Sequence, residues 1–296
     1  MSVWDKTTVG ALMQQSIVER QFRCLIYTDS RGRGLHQCVA GTRLNSYLFD
    51  CKGKINTEVI LRKGATLEHA IQYINDNGVG QTQDIIIVAV GICNLTERQW
   101  SRNIRTLSYS NRDRKAETIS KIQHLLDTYG EKLHIATIAP ASFNNYFKHH
   151  NNTKPSDEQV KTFHTQQQHL LEDCEEINKY IIDRNIERNQ PTLEWAKQCF
   201  VQSKKRHIKS KKIKNIVRKK LAVKLLPDGV HPSDNLRATW HKLTEKFITQ
   251  IVKQSLPKED TAEDTSGGAT ETEEDDLNTS QSTEEEEVYF KRKRRS

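Results

Sequence analysis

The segment DIIIVAVG, residues 84–91, is apolar and mostly β-branched after its first residue, and it stops at Gly91. A strand with one wet face alternates apolar and polar side chains. A strand that is apolar throughout is covered on both faces. Three more stretches read as strands: RCLIYTDS (23–30), INTEVILRKG (55–64) and KLHIATIAP (132–140). Helical spacing of apolar residues marks 35–48, 65–77 and 116–130, the last stopping at Gly130. A long helix over 156–187 opens on a capping box, Ser156 with Gln159. A final helix runs from near Ser233 to about Gln254. Strands separated by helices imply an α/β fold, a doubly wound three-layer α/β/α arrangement with a central, mostly parallel sheet.

That domain is expected over residues 22–256, after an amphipathic N-terminal segment at 1–21. From residue 257 to 296 the chain turns to Glu, Asp, Thr, Ser and Gly and ends in KRKRRS. Such a stretch buries too little apolar surface to offset the entropy of ordering, so disorder is expected there. The formal charge of +8 hides an asymmetry: this tail carries 13 acidic and 6 basic residues, while the rest carries 40 basic and 25 acidic. A body this basic fits a polyanionic partner. Its densest stretch is SKKRHIKSKKIKNIVRKK (203–220), an insertion with ten Lys or Arg and no acid. Ile208, Ile213, Ile216 and Val217 fall near helical spacing, so a helix with one apolar stripe is expected. Its basic residues, Lys204, Lys205, Arg206, Lys209, Lys211, Lys212, Lys214, Arg218, Lys219 and Lys220, are candidates for nucleic-acid backbone contact or for an import signal. KRKRRS is import-like as well.

The chain opens without a basic flank followed by an apolar run, and no apolar stretch reaches 18 residues. No membrane span is expected. Six scattered cysteines without a CxxC pair read as free thiols in a reducing compartment, hence an intracellular protein of nucleus or cytoplasm.

In an open parallel sheet, chemistry gathers beyond the carboxyl ends of the strands. The first strand ends in YTDSRGRGL, which sets Ser30 at a sharp turn eased by Gly32 and Gly34. The second ends at Gly64 and the third at Gly91, three residues before Asn94. Late in the chain, PDGVHPSDNLRATW places Asp228 and His231 on one loop before the last helix. Singly, each has an ordinary reading: a helix cap, a turn glycine, an Asp-Gly turn, a surface histidine.

The order Asp-Ser, Gly, Gly-x-x-Asn, then Asp-x-x-His-Pro resembles the SGNH hydrolase superfamily, the GDSL-type esterases and lipases, over roughly residues 22–254. The resemblance implies Ser30 as nucleophile, His231 as base and Asp228 as its orienting acid. It implies an oxyanion hole from the Ser30 and Gly64 amides and the Asn94 side chain, and no metal or organic cofactor. The chain departs from that pattern twice. Thr28 stands where the family has Gly, and the third block reads Gly91-Ile92-Cys93-Asn94, with Asn one place late and Cys93 in its position. The expectation is an intracellular serine esterase or acyl hydrolase acting on a small ester or acylated substrate. The alternative is a catalytically reduced SGNH-like domain that binds nucleic acid in a nuclear, viral or mobile-element protein.

Overall fold

The computed structural model describes residues 22–33, 55–101, 103–110, 113–209 and 212–255, and of 202–219 it describes the backbone alone. The N-terminal segment 1–21, the helix expected over 35–48 and the tail from 257 lie outside the described residues, as do Gly34, Cys38 and Cys51.

In chain order the described elements begin with β1 (Phe22–Thr28), β2 (Ile55–Leu61), α1 (Leu67–Asp76), α2 (Val79–Thr82), β3 (Ile85–Ala89) and α3 (Ile92–Leu95). Next come β4 (Thr96–Ser101), β5 (Ile104–Tyr109), α4 (Asp113–Tyr129), β6 (Leu133–Ile135), α5 (Phe143–Asn151) and α6 (Asp157–Glu187). The described chain closes with β7 (Phe200–Lys209), β8 (Lys212–Leu221) and α7 (Asp234–Ser255). No described helix is long and apolar enough to cross a membrane.

The four apolar runs make one sheet in the order β2-β1-β3-β6, parallel throughout. Side chains leave a strand on alternate faces, and here each face has its own core. Leu25, Tyr27, Ile86 and Val88 enter one cluster, while Cys24, Ile26, Ile85 and Ile87 enter the other. Helices α1, α4 and α6 cover the first with Leu67, Ile122 and Ile177. Helix α7 covers the second with Leu236, Trp240 and Ile248. The three-layer, doubly wound arrangement follows from these two faces. The capping box on α6 is formed, with Ser156 and Gln159 each accepting from the other's backbone N–H.

Three local expectations need correcting. The strand expected over 132–140 pairs only at Leu133–Ile135, because beyond it Thr137 donates its N–H to Leu193 O at 2.9 Å. Residues 96–109, where no strand was expected, form the β4–β5 hairpin, which turns through Asn103 in the left-handed region (φ 66°). The basic insertion is not a helix. It is the antiparallel hairpin β7–β8, in register from Phe200 opposite Leu221 to Lys209 opposite Lys212. The ladder sets Ile208 opposite Ile213, and β-branched residues favour extended backbone. A helix would also have put Lys214 and Arg218 four apart, a like-charge repulsion.

On β6, His134 is 1% exposed, neither ring nitrogen has a hydrogen-bond partner among the described residues, and its ring meets Phe247 edge-on at 5.2 Å. Burial, aided by the charge of Arg188, pushes its pKa down to about 3. The folded protein therefore excludes a proton that the unfolded chain takes up below about pH 6.5. Stability is lost as the pH falls through that range, by up to about 1.4 kcal/mol per pH unit from this group. Urea unfolding of His134→Leu between pH 7 and 5 is expected to show a flatter decline than the parent protein. Equal slopes would place His134 in contact with solvent.

Candidate active site

The carboxyl ends of β1, β2 and β3 lie level. Thr28 pairs with Leu61 on one side and Ala89 on the other, and Arg62 donates its N–H to Thr28 O at 3.0 Å. After β1 the chain goes to β2 on one flank and then to β3 on the other, so β1 is the switch point of the sheet. A crevice opens beyond the carboxyl ends at such a point. Ser30 leaves β1 there, at the start of a one-turn 3-10 helix, Ser30–Gly32.

The loop before α7 reaches the same edge. Ser142 donates its N–H to Gly229 O at 2.7 Å, and Asn145 donates its carboxamide to Val223 O and Leu226 O. Behind the loop, α7 is fixed by Trp240, which stacks on Trp195 with ring centroids 4.8 Å apart and donates to Trp195 O.

This brings together three residues that are far apart in the chain. His231 Nε2 lies 2.8 Å from Ser30 Oγ, and His231 Nδ1 is hydrogen-bonded to Asp228 Oδ2. The other carboxylate oxygen of Asp228 accepts from the Val230 and His231 N–H groups at 2.9 and 2.7 Å. Burial works against the Asp228 charge, but the hydrogen bonds from His231 and Val230 outweigh it and hold the carboxyl well below its usual range. An ionised carboxylate only accepts, so Nδ1 carries the ring proton and Nε2 is left to accept from the Ser30 hydroxyl.

Ser30 is supported by a buried pair that the sequence did not bring to notice. Asp29 Oδ1 accepts the Arg31 N–H at 2.9 Å, Arg31 Nε lies 3.6 Å from Asp29 Oδ2, and the Arg31 guanidinium also donates to Ala139 O. Arg31 is 5% exposed. The pair ties the Ser30 turn to the chain leaving β6. A cue was present in Asp-x-Arg, where an Asp caps a turn two residues before a cation. Thr28 fits where a Gly was expected because Gly32 gives it space: a Cβ on Gly32 would fall 2.3 Å from Thr28 Oγ1.

Asn94 is buried and its carboxamide is engaged at the start of α1. Its Oδ1 accepts the Leu67 N–H at 3.0 Å, and its Nδ2 donates to Glu68 Oε2 at 2.8 Å. Glu68 is held in turn by Lys121 at 2.5 Å. Burial opposes the Glu68 charge, yet the bonds from Lys121, Thr66 and Asn94 lower its pKa to about 2. One Nδ2 hydrogen of Asn94 is not committed to Glu68. Cys93 is partly buried, and burial first, then the Asp29 charge, raises its thiol pKa. Gly64 turns in the left-handed region (φ 67°) two residues beyond Arg62. The four described cysteines, Cys24, Cys93, Cys174 and Cys199, are all free thiols.

No family model and no curated protein matches the chain. Solved structures do match. A lipase/acylhydrolase from Enterococcus faecalis aligns with a TM-score of 0.46 at 12% identity, over 77% of this chain and 96% of its own. A GDSL-like lipase from Bacteroides thetaiotaomicron gives 0.45 at 12%, over 85% and 98%. An acetylxylan esterase from Geobacillus stearothermophilus gives 0.42 at 12%, over 78% and 94%. At these identities and TM-scores the likeness bears on neither activity nor substrate.

Proposed function

We propose that the protein is a serine ester hydrolase working through Ser30, His231 and Asp228. The observation behind this is the unbroken hydrogen-bonded chain from Ser30 Oγ through the His231 ring to the Asp228 carboxylate. A serine hydroxyl is a weak nucleophile unless a base takes its proton. His231 Nε2 accepts that proton as Oγ attacks the ester carbonyl carbon. Asp228 stabilises the imidazolium that forms. The C–O bond to the alcohol then breaks, and His231 returns the proton to the departing alcohol. Water next attacks the acyl-serine, giving its proton to His231, and the acid leaves as Ser30 is restored. The developing oxyanion would be met by the Ser30 and Gly64 N–H groups and by the Asn94 N–H that does not bond to Glu68. The test is covalent. A fluorophosphonate should label one serine, and peptide mapping should place it at Ser30. A well-folded protein that stays unlabelled across pH 6–9 would end this reading.

A second proposal concerns the β7–β8 hairpin. Nine of its ten Lys and Arg fall on the two strands of an antiparallel ribbon, an element of a size that enters nucleic-acid grooves, and Lys211 lies outside the described residues. Nucleic-acid affinity is expected to fall steeply with salt as counterions are released. Changing Lys211, Lys212, Lys214, Arg218, Lys219 and Lys220 together to Ser should flatten that dependence in a filter-binding titration. An unchanged slope would remove the hairpin from any such contact.

A further inference from the structure

The chain that leaves β6 is bonded to both sides of the candidate site. Ala139 O accepts from the Arg31 guanidinium, which braces the Ser30 turn. Three residues on, the Ser142 N–H donates to Gly229 O at 2.7 Å, in the loop that carries Asp228 and His231. Residues 138–143 therefore join the turn that holds the hydroxyl to the loop that holds the imidazole.

This segment has no strand beside it. The Ala136 and Thr137 N–H groups still find Val88 O and Leu193 O, but from Ile138 onward the chain joins no ladder among the described residues. It is nonetheless buried: Ile138, Ala139, Ala141, Ser142 and Phe143 are each 3% exposed or less. Buried backbone N–H and C=O groups need partners. Helix α6 supplies them through two side-chain carboxamides. Asn178 Oδ1 accepts the Ile138 N–H at 2.6 Å, and Asn178 Nδ2 donates to Ile138 O at 3.0 Å. Gln167 Oε1 accepts the Phe143 N–H at 3.2 Å, and Gln167 Nε2 donates to Ala141 O at 2.7 Å. A carboxamide carries an acceptor and a donor together, as a peptide group does, so each one stands in for the missing strand.

Their positions along the segment match its two duties. Asn178 grips the residue just before Ala139, where Arg31 docks. Gln167 grips both neighbours of Ser142, the residue bonded to Gly229. The adjacent Gln166 offers a contrast on the same helix, since its Oε1 accepts the Tyr109 N–H at 3.4 Å, at the end of β5.

Resting on the assignment of Ser30 as nucleophile and His231 as base, we propose that Gln167 and Asn178 are positioning residues: they hold residues 138–143 as a strut that sets the reach of His231 to Ser30. Neither touches the reacting atoms. The strut fixes the 2.8 Å approach of His231 Nε2 to Ser30 Oγ from both ends. When it slackens, the ester still binds but the proton passes less readily, so the loss falls on kcat and leaves KM in place.

The test uses the full chain and 4-nitrophenyl acetate. Gln167→Leu and Asn178→Leu are each expected to lower kcat by about tenfold, part of the hundred-fold that a displacement of about 1 Å can cost, with KM unchanged. Gln167→Glu keeps the acceptor for Phe143 but turns a charged oxygen on Ala141 O, so it should lower kcat as well; being close in shape, it serves if the leucine variants do not fold. Gln166→Leu should keep the parent kcat. On a Gly229→Ala background, where the bond to Ser142 is already broken, Gln167→Leu should cost no more than about twofold, because both changes cut one linkage. Folded Gln167 and Asn178 variants with the parent kcat overturn the strut, as does a loss equal to that of Gln166→Leu or a full tenfold loss on the Gly229→Ala background. In each of these cases turnover by the parent protein leaves the Ser30 chemistry standing. If the parent turns over no ester and Ser30 takes no label, the hydrolase reading falls and the strut's role in it falls too.

Discussion

Ser30→Ala and His231→Ala are each expected to lower ester turnover by about a million-fold, and Asp228→Asn by about ten thousand-fold, the pattern of hydrolases in which the three groups act as one unit. The ordering follows from what each change leaves behind. Without the Ser30 hydroxyl no acyl-enzyme forms. Without His231 the hydroxyl keeps its proton, since no other base is hydrogen-bonded to Ser30 Oγ among the described residues. Asn at 228 keeps the shape but can present an N–H to Nδ1, which favours the wrong ring tautomer. It also removes the charge that balances the imidazolium. Because the Asp228 carboxyl is held well below its usual range, the charge is present throughout neutral and mildly acidic pH. Steady-state turnover of a chromogenic ester measures the series, and the initial rate of fluorophosphonate labelling checks it independently of substrate choice. Equal activity in all three variants would show that turnover comes from elsewhere.

Gly229→Ala is expected to lower ester turnover by about a hundred-fold while leaving the side chains of Ser30, Asp228 and His231 unaltered. Gly229 sits at φ 83°, and an added Cβ would lie 2.4 Å from both Ser142 O and Tyr146 N. Those are backbone atoms at the start of α5, so no rotamer change relieves the overlap. Left-handed backbone alone costs a side chain about 1–2 kcal/mol, and the overlap adds to it. The loop must withdraw, breaking the Ser142 N–H bond to Gly229 O and shifting Asp228 and His231 on either side. Displacements of about 1 Å at reacting groups can cost about a hundred-fold in rate. Gly64→Ala separates strain from collision, since Gly64 has φ 67° but a Cβ added there would meet none of the described residues within 4 Å. Urea unfolding should show a larger loss for Gly229→Ala than for Gly64→Ala. Labelling of Ser30 should slow most in Gly229→Ala. Parity between the two in stability would mean that the loop yields without resistance.

The α/β class and the sheet were legible because a strand covered on both faces leaves a mark in the chain: DIIIVAV has no polar break after its first residue, and Gly130 and Ser156 bound the helices. That Ser30, Asp228 and His231 meet at one sheet edge was legible through their position, after the first strand and before the last helix. What the chain did not disclose depends on neighbours far away in sequence. Whether 203–220 becomes helix or hairpin turns on cross-strand partners such as Ile208 and Ile213, which local periodicity does not specify. The engagement of Asn94 with Leu67 and Glu68 arises only once α1 and α3 stand side by side. Arg31 reads as one more surface cation until Asp29 and the Ala139 carbonyl close around it. Composition and periodicity determined most of the strands and helices and which residue types stand at their ends. Only tertiary structure decided the pairings, because a hydrogen bond spanning 201 residues, as between Ser30 and His231, is set by how the layers dock and not by any local preference of the chain.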